Sequence, residues 1–365
     1  MPEAERTITS RPPILWKIVL GGVVFAGVFI WISSVLDLGR VWQTFRSANY
    51  WLVLASAVPV VASHWMRAVR WKTMLRAVEG LPRLSLHDLF SAVMVGYVAN
   101  NLVPRSGEVL RPYVLARRYR LSSALVLASV FAERSIDVLQ LLFFLACALY
   151  LLPEIATHAL PQWLIGEGAR TLALMVLVFA AIGVLIGFSS AGERIILRII
   201  RVFSVQAAER VHGIFDAFRR GIRVIRHPAD AGRILLESLA IWVLYVLPLW
   251  IVMAAVPMHA PAKFAWTFWD GCIVLLVVAV ATTVAPTPGA IGVVHALVAE
   301  AMYRLYQVPI EEAFVFITIA HAINYVTVML VGAGYVVREG VSLISFFRPG
   351  TTLETGLSAT GQTSA

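Results

Sequence analysis

Apolar residues along this chain come in runs of roughly twenty, the length a helix needs to cross a hydrocarbon core of about 30 Å. Ile14–Leu36, Thr171–Phe188 and Ile234–Val256 are such runs. The pattern predicts full membrane spans over 14–36, 50–70, 122–152, 170–188, 234–256 and 310–336. Two further apolar stretches, 86–118 and 264–303, are interrupted near their middles. The first is broken by Pro104-Arg-Ser-Gly107 and the second by Pro286-Thr-Pro-Gly289. Proline removes a backbone donor and clashes with the preceding turn, and glycine admits left-handed backbone, so a helix should break at both places. Broken backbone at membrane depth persists only where protein or a water-filled cavity surrounds it. Each stretch is therefore read as a re-entrant pair of half-helices.

The order of elements repeats. Two spans, a Pro-x-x-Gly hairpin and a further span occupy 14–152, and the same order returns over 170–336. The second copy begins on the opposite side, which makes the halves inverted. The predicted fold is an all-α integral membrane protein with six full transmembrane helices and two re-entrant helical hairpins in an inverted repeat. Many secondary transporters have this architecture, with the binding site between the halves. The membrane domain takes in residues 1–340. Within it, 191–233 is a basic, roughly amphipathic segment, read either as lying along the cytoplasmic surface or as a solvated linker helix. The Thr/Ser/Gly-rich tail over 341–365 has no apolar period and is expected to be disordered.

Basic residues test the topology. With the N-terminus cytoplasmic and each hairpin returning to the side it entered, the cytoplasmic segments hold twenty-four Lys and Arg against five outside. Arg134 alone is assigned to the interior of a span. Letting either broken stretch cross once would invert every later loop and spoil this bias. Both termini are then cytoplasmic, and the protein is multi-pass in a bacterial inner (plasma) membrane. Arg11 and Lys17 precede the first run as they would in a signal peptide, but the run is long and no small-x-small cleavage pattern follows. It is read as a retained helix.

Composition agrees. Hydrophobic residues make up 59% of the chain and charged residues 14%, at a mean hydropathy of +0.81. Soluble domains sit near a quarter charged, so a soluble enzyme is excluded. The net charge of +9 comes from arginines placed between apolar runs, which points to anionic lipid headgroups and away from nucleic acid. Cys147 and Cys272 fall inside apolar runs and read as packing residues. No Walker loop, Gly-x-Ser-x-Gly, His-Glu-x-x-His or dinucleotide fingerprint occurs, so no enzymatic role, cofactor or metal is assigned.

The candidate chemistry lies at the two breaks. Around the first, Asn100, Asn101, Arg105, Glu108 and Arg111 put charges and amides beside a helix end. Charged groups near the bilayer centre cost about 2.5–3.5 kcal/mol each, so they face an interior and pair. Glu108 is expected to pair with Arg105 or Arg111, each three residues away. An arginine left partly free offers a planar fork for a phosphate; as interfacial anchors, Arg105 and Arg111 would do neither. In the next helix, Glu133 and Asp137 share a face and Arg134 lies three residues from Asp137. This triplet is either a closed ion-pair network locking the hairpin to the helix or a relay for protons or headgroups. Around the second break, His295 faces a span carrying His321 and Asn324. The histidines either titrate in a proton-coupled cycle or hydrogen-bond locally.

Three segments together resemble the lysylphosphatidylglycerol synthase transmembrane, or flippase-like, family. They are Pro-Arg-x-Gly-Glu-x-x-Arg (Pro104 to Arg111), Glu-Arg-x-x-Asp (Glu133 to Asp137) and Pro-x-Pro-Gly-x-x-Gly (Pro286 to Gly292). The resemblance covers about residues 15–340. It implies a bacterial or archaeal inner-membrane protein that handles lipids, in the better understood relatives by moving a lipid between leaflets. Relatives with a soluble C-terminal domain transfer an aminoacyl group to phosphatidylglycerol. This chain ends soon after its last span and is expected to be the flippase-like part alone. His295 stands where relatives often show a glutamate. The reading is a lipid flippase or transporter for an anionic or phosphate-bearing lipid. The alternatives are a secondary transporter of a small anion and a non-catalytic membrane partner of a lipid or envelope glycan synthase. Membrane lipids are the expected partners; a homo-oligomer and envelope-biosynthesis enzymes are compatible ones.

Overall fold

The computed structural model describes residues 36–76, 81–151, 228–261, 265–285 and 287–341, with scattered positions in 23–34 and 171–212. The expected spans 14–36 and 170–188, nearly all of the basic segment 191–233, and the tail after 341 lie outside the described residues, as does Pro286. Every regular element among the described residues is helical.

The helices are α1 (Leu38–Ser47), α2 (Tyr50–Ala55), α3 (Ala57–Arg76), α4 (Leu86–Leu102), α5 (Gly107–Tyr119), α6 (Ser123–Leu151), α7 (Pro228–Ala255), α8 (Phe268–Val284), α9 (Val293–Tyr306) and α10 (Ile310–Arg338), with a single 3-10 turn at Pro288–Ala290 between α8 and α9. Local chemistry sets their starts. The Asp37 carboxylate accepts from the backbone N–H of Gly39 and Arg40, and the Asn49 side chain from those of Trp51 and Leu52. Thr267 and Asp270 form a reciprocal capping box at α8. Among the described residues, 50–76, 229–255 and 310–338 are long and apolar enough to cross a membrane. α6 is also long, at 29 residues.

Both apolar stretches break where expected. α4 ends at Leu102 and α5 starts at Gly107, with Arg105 in left-handed backbone at φ 64° between them. The second break is longer, and Gly289, Ala290 and Gly292 all have positive φ there. Each broken stretch folds back on itself. Tyr119, at the end of α5, hydrogen-bonds Asp88 in the first turn of α4. Tyr306, at the end of α9, packs its ring 5.4 Å from Trp266, just before α8.

The two hairpins open toward opposite ends of the bundle. α3 finishes beside the start of α7, where Thr73 donates to Glu237 at 2.9 Å, and α10 finishes beside the mouth of the first hairpin, where Arg338 reaches Asp88 at 2.7 Å. At the other end Asn49 N–H bonds the carbonyl of Ala255, and the start of α10 meets His259 through Glu312. The second hairpin opens toward this end. Their tips meet where Arg105 donates to the carbonyl of Thr283 at 3.4 Å. Each hairpin has its own apolar core: Trp71, Leu89, Met94, Leu110 and Leu115 around the first, and Met253, Val298, Met302 and Phe316 around the second. α10 runs through both, contributing Phe316 to one and Val328 to the other. Leu235, Leu236, Val243, Leu330 and Val337 remain exposed on the outer faces of α7 and α10, as lipid-facing positions do.

Candidate functional site

The first hairpin is docked on α3 and α6 by a buried network of ionised side chains. Its base is α3, where Val60, His64, Arg67, Trp71 and Met74 recur at helical spacing on one buried stripe. Polar and apolar residues share this stripe. Arg67 is 2% exposed and Arg70 is fully buried. Both reach across to α6, where Glu133 is fully buried too. Arg67 makes a short hydrogen bond to Glu133 Oε1 and another to Asp137 Oδ2 at 2.8 Å. Arg70 bonds Asp137 Oδ1 at 2.6 Å and Ser238 of α7 at 3.0 Å. Tyr245 of α7 accepts from Arg67 at 2.7 Å.

The hairpin joins through Arg111. Its guanidinium lies 3.8 Å from the centre of the Trp71 ring, and Nη2 is 2.9 Å from Glu133 Oε2. That distance makes an ion pair, but the groups are not aligned for a hydrogen bond. All three Arg111 nitrogens are buried with no hydrogen-bond partner among the described residues. Trp71 is held by its own bond from Nε1 to Ser129 at 2.9 Å. At the rim, Arg134 is 3.5 Å from Asp137 and 3.7 Å from Glu108. Its side chain is 33% exposed and that of Glu108 39%. Among the described residues, four guanidiniums thus meet three carboxylates, and one positive charge is left over.

These positions decide several expectations. Glu108 pairs with Arg134, not with Arg105 or Arg111. Residues 105 and 111 lie on opposite sides of it because α5 starts only at Gly107, so three-residue helical spacing does not apply to Arg105, and Arg111 turns inward to Trp71. Arg111 is not an interfacial anchor; it is 3% exposed and sits in the network. Arg134 is not the only basic residue inside the helix bundle: Arg67, Arg70 and Arg111, which the count of basic residues places in cytoplasmic segments, are buried. Glu133 and Asp137 do share a face, and Arg134 does reach Asp137.

Asn100 accepts the Gly107 N–H at 2.7 Å and so holds the start of α5 against the end of α4. Asn101 follows, half-buried. Close packing requires the glycines here: a β-carbon on Gly107 would lie 1.9 Å from the Gly96 carbonyl oxygen. Arg105 is exposed at the tip, away from the network. Around the second hairpin, the rings of His295 and His321 are 5.0 Å apart. His295 Nδ1 lies 3.3 Å from the Gly292 backbone nitrogen at the start of α9. Asn324 is exposed on α10, one turn from His321. The structure therefore brings Arg111, Glu133, Arg134, Asp137 and Glu108 together between the first hairpin and α6, and His295 and His321 together between the second hairpin and α10, while Arg105 and Asn324 stay exposed.

Arg67, Arg70, Trp71 and Tyr245 were not anticipated. The available signal was in α3: the helical period of apolar residues continues past residue 70 to Met74 and Leu75, so both arginines fall inside a helix with a buried stripe.

Comparison with known proteins places the sequence among membrane proteins. The family described as Lysylphosphatidylglycerol synthase TM region matches residues 18–332. A UPF0104 membrane protein of Methanothermobacter thermautotrophicus is 24% identical over 249 residues, covering 65% of this chain and 71% of that protein. Glycosyltransferase AglD of Haloferax volcanii is 25% identical over 361 residues, covering 92% of this chain. The chain spans 57% of the length of AglD.

Proposed function

Because the chain belongs to the Lysylphosphatidylglycerol synthase TM region family, we propose that this membrane protein is a lipid flippase or lipid transporter acting on an anionic or phosphate-bearing lipid. The observation that carries the reading is the surplus guanidinium in a network of four arginines and three acids beside two meeting hairpin tips. A buried surplus charge is costly, and an anionic headgroup neutralises it. The headgroup phosphate meets Arg134 at the accessible rim, with Arg105 at the tip as the second contact. Arg67, Arg70, Arg111, Glu133 and Asp137 form the rigid base that holds α6 and the hairpin in register. The acyl chains stay in the bilayer while the headgroup passes between the hairpins.

In this reading the hairpins are re-entrant from opposite faces of a bacterial inner membrane, with both termini cytoplasmic, and the halves 14–152 and 170–336 are inverted copies. His295 on the second hairpin and His321 and Asn324 on α10 line the route. The test is reconstitution into liposomes with a leaflet-specific assay of labelled phospholipids, comparing wild type with Arg134→Ala and Arg105→Ala. Faster exchange of an anionic lipid than in empty vesicles, reduced in both variants, is the expected result. Equal exchange in protein-containing and empty vesicles for every lipid overturns it.

One observation favours a second reading. The chain aligns with only part of AglD, whose name is that of a glycosyltransferase. A non-catalytic membrane partner of a lipid or glycan synthase fits that alignment. Charge reversal at Arg105 that leaves a synthase complex assembled and fully active supports this role over transport.

A further inference from the structure

The two hairpins end alike in backbone and differ in charge. α5 closes on Arg120, at φ 53° with its N–H bonded to the Ala116 carbonyl, and α9 closes on Gln307, at φ 56° with its N–H bonded to the Tyr303 carbonyl. Left-handed caps of this kind favour glycine or asparagine, and the neutral Gln307 shows that the geometry calls for no positive charge. In the last turn of α9, Arg304 pairs with Glu300. The last turn of α5 carries Arg117 and Arg118. Arg118 is taken up by Asp88 at 3.1 Å and Glu339 at 3.2 Å, which closes the mouth of the hairpin against the end of α10. Arg117 is exposed and has no ion-pair partner among the described residues.

The same holds for Arg120 and for Arg83, which precedes α4. Arg83 is brought to the mouth by its neighbour Ser85, whose N–H donates to the Tyr119 hydroxyl at 2.9 Å; that hydroxyl donates in turn to Asp88 at 2.7 Å. Arg83, Arg117 and Arg120 each lie within two residues of this tie. Arg76, at the end of α3, adds a further unpaired charge, and the free acid among the described residues at this end is Asp230, in the first turn of α7. The opposite end of the bundle is balanced. Arg40 pairs with Asp37 and Arg304 with Glu300, and the unpaired Arg46 is matched by the unpaired Glu311 among the described residues.

The position of this surplus selects its partner. It sits where the apolar spans stop: 50–76 ends on Arg76 and 310–338 on Arg338. Val337, 80% exposed beside Arg338, keeps an apolar side chain bare at the same level, which acyl chains cover and a soluble acidic protein does not. At that level a bilayer presents its phosphates. A guanidinium offers a phosphate two parallel N–H donors and stays charged at any working pH. We propose that the mouth of the first hairpin, through Arg83, Arg117 and Arg120, binds the headgroup of an anionic phospholipid in the leaflet it faces, and a lipid with two phosphates more tightly than one with a single phosphate. This surface is separate from the network at Arg134, and the proposal does not depend on lipid transport by the hairpins.

The test titrates the full chain, in a neutral detergent, with cardiolipin, phosphatidylglycerol or phosphatidylcholine, and counts bound lipid by native mass spectrometry. Cardiolipin is expected to bind best, phosphatidylglycerol less well, and phosphatidylcholine without saturation. At the usual strength of a guanidinium near a membrane surface, Arg83→Gln, Arg117→Gln and Arg120→Gln should each weaken cardiolipin binding about fivefold, and the triple variant about a hundredfold. Arg40→Gln and Arg304→Gln, at the balanced end, should bind as wild type does. Should the triple variant not fold, the three single variants carry the test, since each replaces an exposed, unpaired side chain. Equal binding of the three lipids by wild type overturns the proposal. So does cardiolipin binding that is as tight in the variants as in wild type, or that falls equally in Arg40→Gln and Arg304→Gln.

Discussion

Gly107 and Gly96 touch backbone to backbone where the two arms of the first hairpin cross, close enough that a β-carbon on Gly107 would stand 1.9 Å from the Gly96 carbonyl oxygen. No side-chain movement relieves a clash with backbone. Gly107→Ala must push α5 off α4 and with it pull Arg111 from Trp71 and Glu133. A β-carbon on Gly96 meets Arg111 Cβ at 3.0 Å and the Gly107 carbonyl oxygen at 3.2 Å, a milder overlap. Gly107→Ala is therefore expected to cost more than the 1–3 kcal/mol typical of overpacking, and Gly96→Ala to fall within it. Thermal unfolding of the purified variants in one detergent measures both, and equal midpoints would contradict the packing described.

Glu133 faces three guanidiniums; removing its charge leaves Arg67 and Arg70 with Asp137 alone and Arg111 with no acid among the described residues. Breaking a buried pair from one side costs about 3–5 kcal/mol. Glu133→Gln should lower stability by that order, and Glu133→Gln with Arg111→Met should recover part of the loss because it removes a charge of each sign. Asp137, at 18% side-chain exposure, is closer to solvent, so Asp137→Asn should cost less. Unfolding midpoints of the three variants give the order, and a double variant less stable than Glu133→Gln alone would count against the network.

Arg134 and Glu108 sit at the rim and are not needed to hold the base together. Arg134→Ala is expected to leave the unfolding midpoint within about 1 kcal/mol of wild type, as for a partly exposed pair, while reducing transport of anionic lipid several-fold. Glu108→Gln, which frees Arg134, should leave transport of anionic lipid unchanged or faster. Parallel stability and vesicle assays separate the two effects. Loss of transport that tracks loss of stability would remove Arg134 from the proposed headgroup contact.

Asp88 ties the mouth of the first hairpin to the end of α10, at the end of the bundle outside the three apolar spans. Burial alone would raise its pKa. The hydrogen bonds from Tyr119 and Arg338, with the charge of Arg118, outweigh that and hold the carboxyl below its ordinary range. A depressed folded-state pKa stabilises the fold above the unfolded value of about 3.9 and is lost as pH falls through the folded value. Asp88→Asn should thus be less stable than wild type by a constant margin from pH 8 to pH 5, and the margin should close only below about pH 4. A margin that closes between pH 7 and pH 5 would show that Asp88 is not held in this way.

Much of this was legible in the residues themselves. Helix breaks at Pro104 and between Pro286 and Gly292 follow from a proline and a glycine acting together within a few residues, whereas Pro112 and Pro248 alone stay inside helices. The length of each apolar run follows from the thickness of a bilayer. The facing of Glu133 and Asp137 follows from their four-residue spacing. The choice of partners does not. Sequence spacing offered Glu108 either Arg105 or Arg111, and the fold gave it Arg134 from another helix, because α5 begins at Gly107 and its inner face meets Trp71. Arg67 and Arg70, at the end of an apolar run and followed by Lys72 and Arg76, carry no sign in the sequence of their partners; they form the base of the network because α6 and α7 close over them. A chain alone determines where a helix starts, stops and is apolar; which buried charge answers which is decided only when distant helices remove water from between them, and at that point the electrostatic cost of an unpaired ion selects the arrangement.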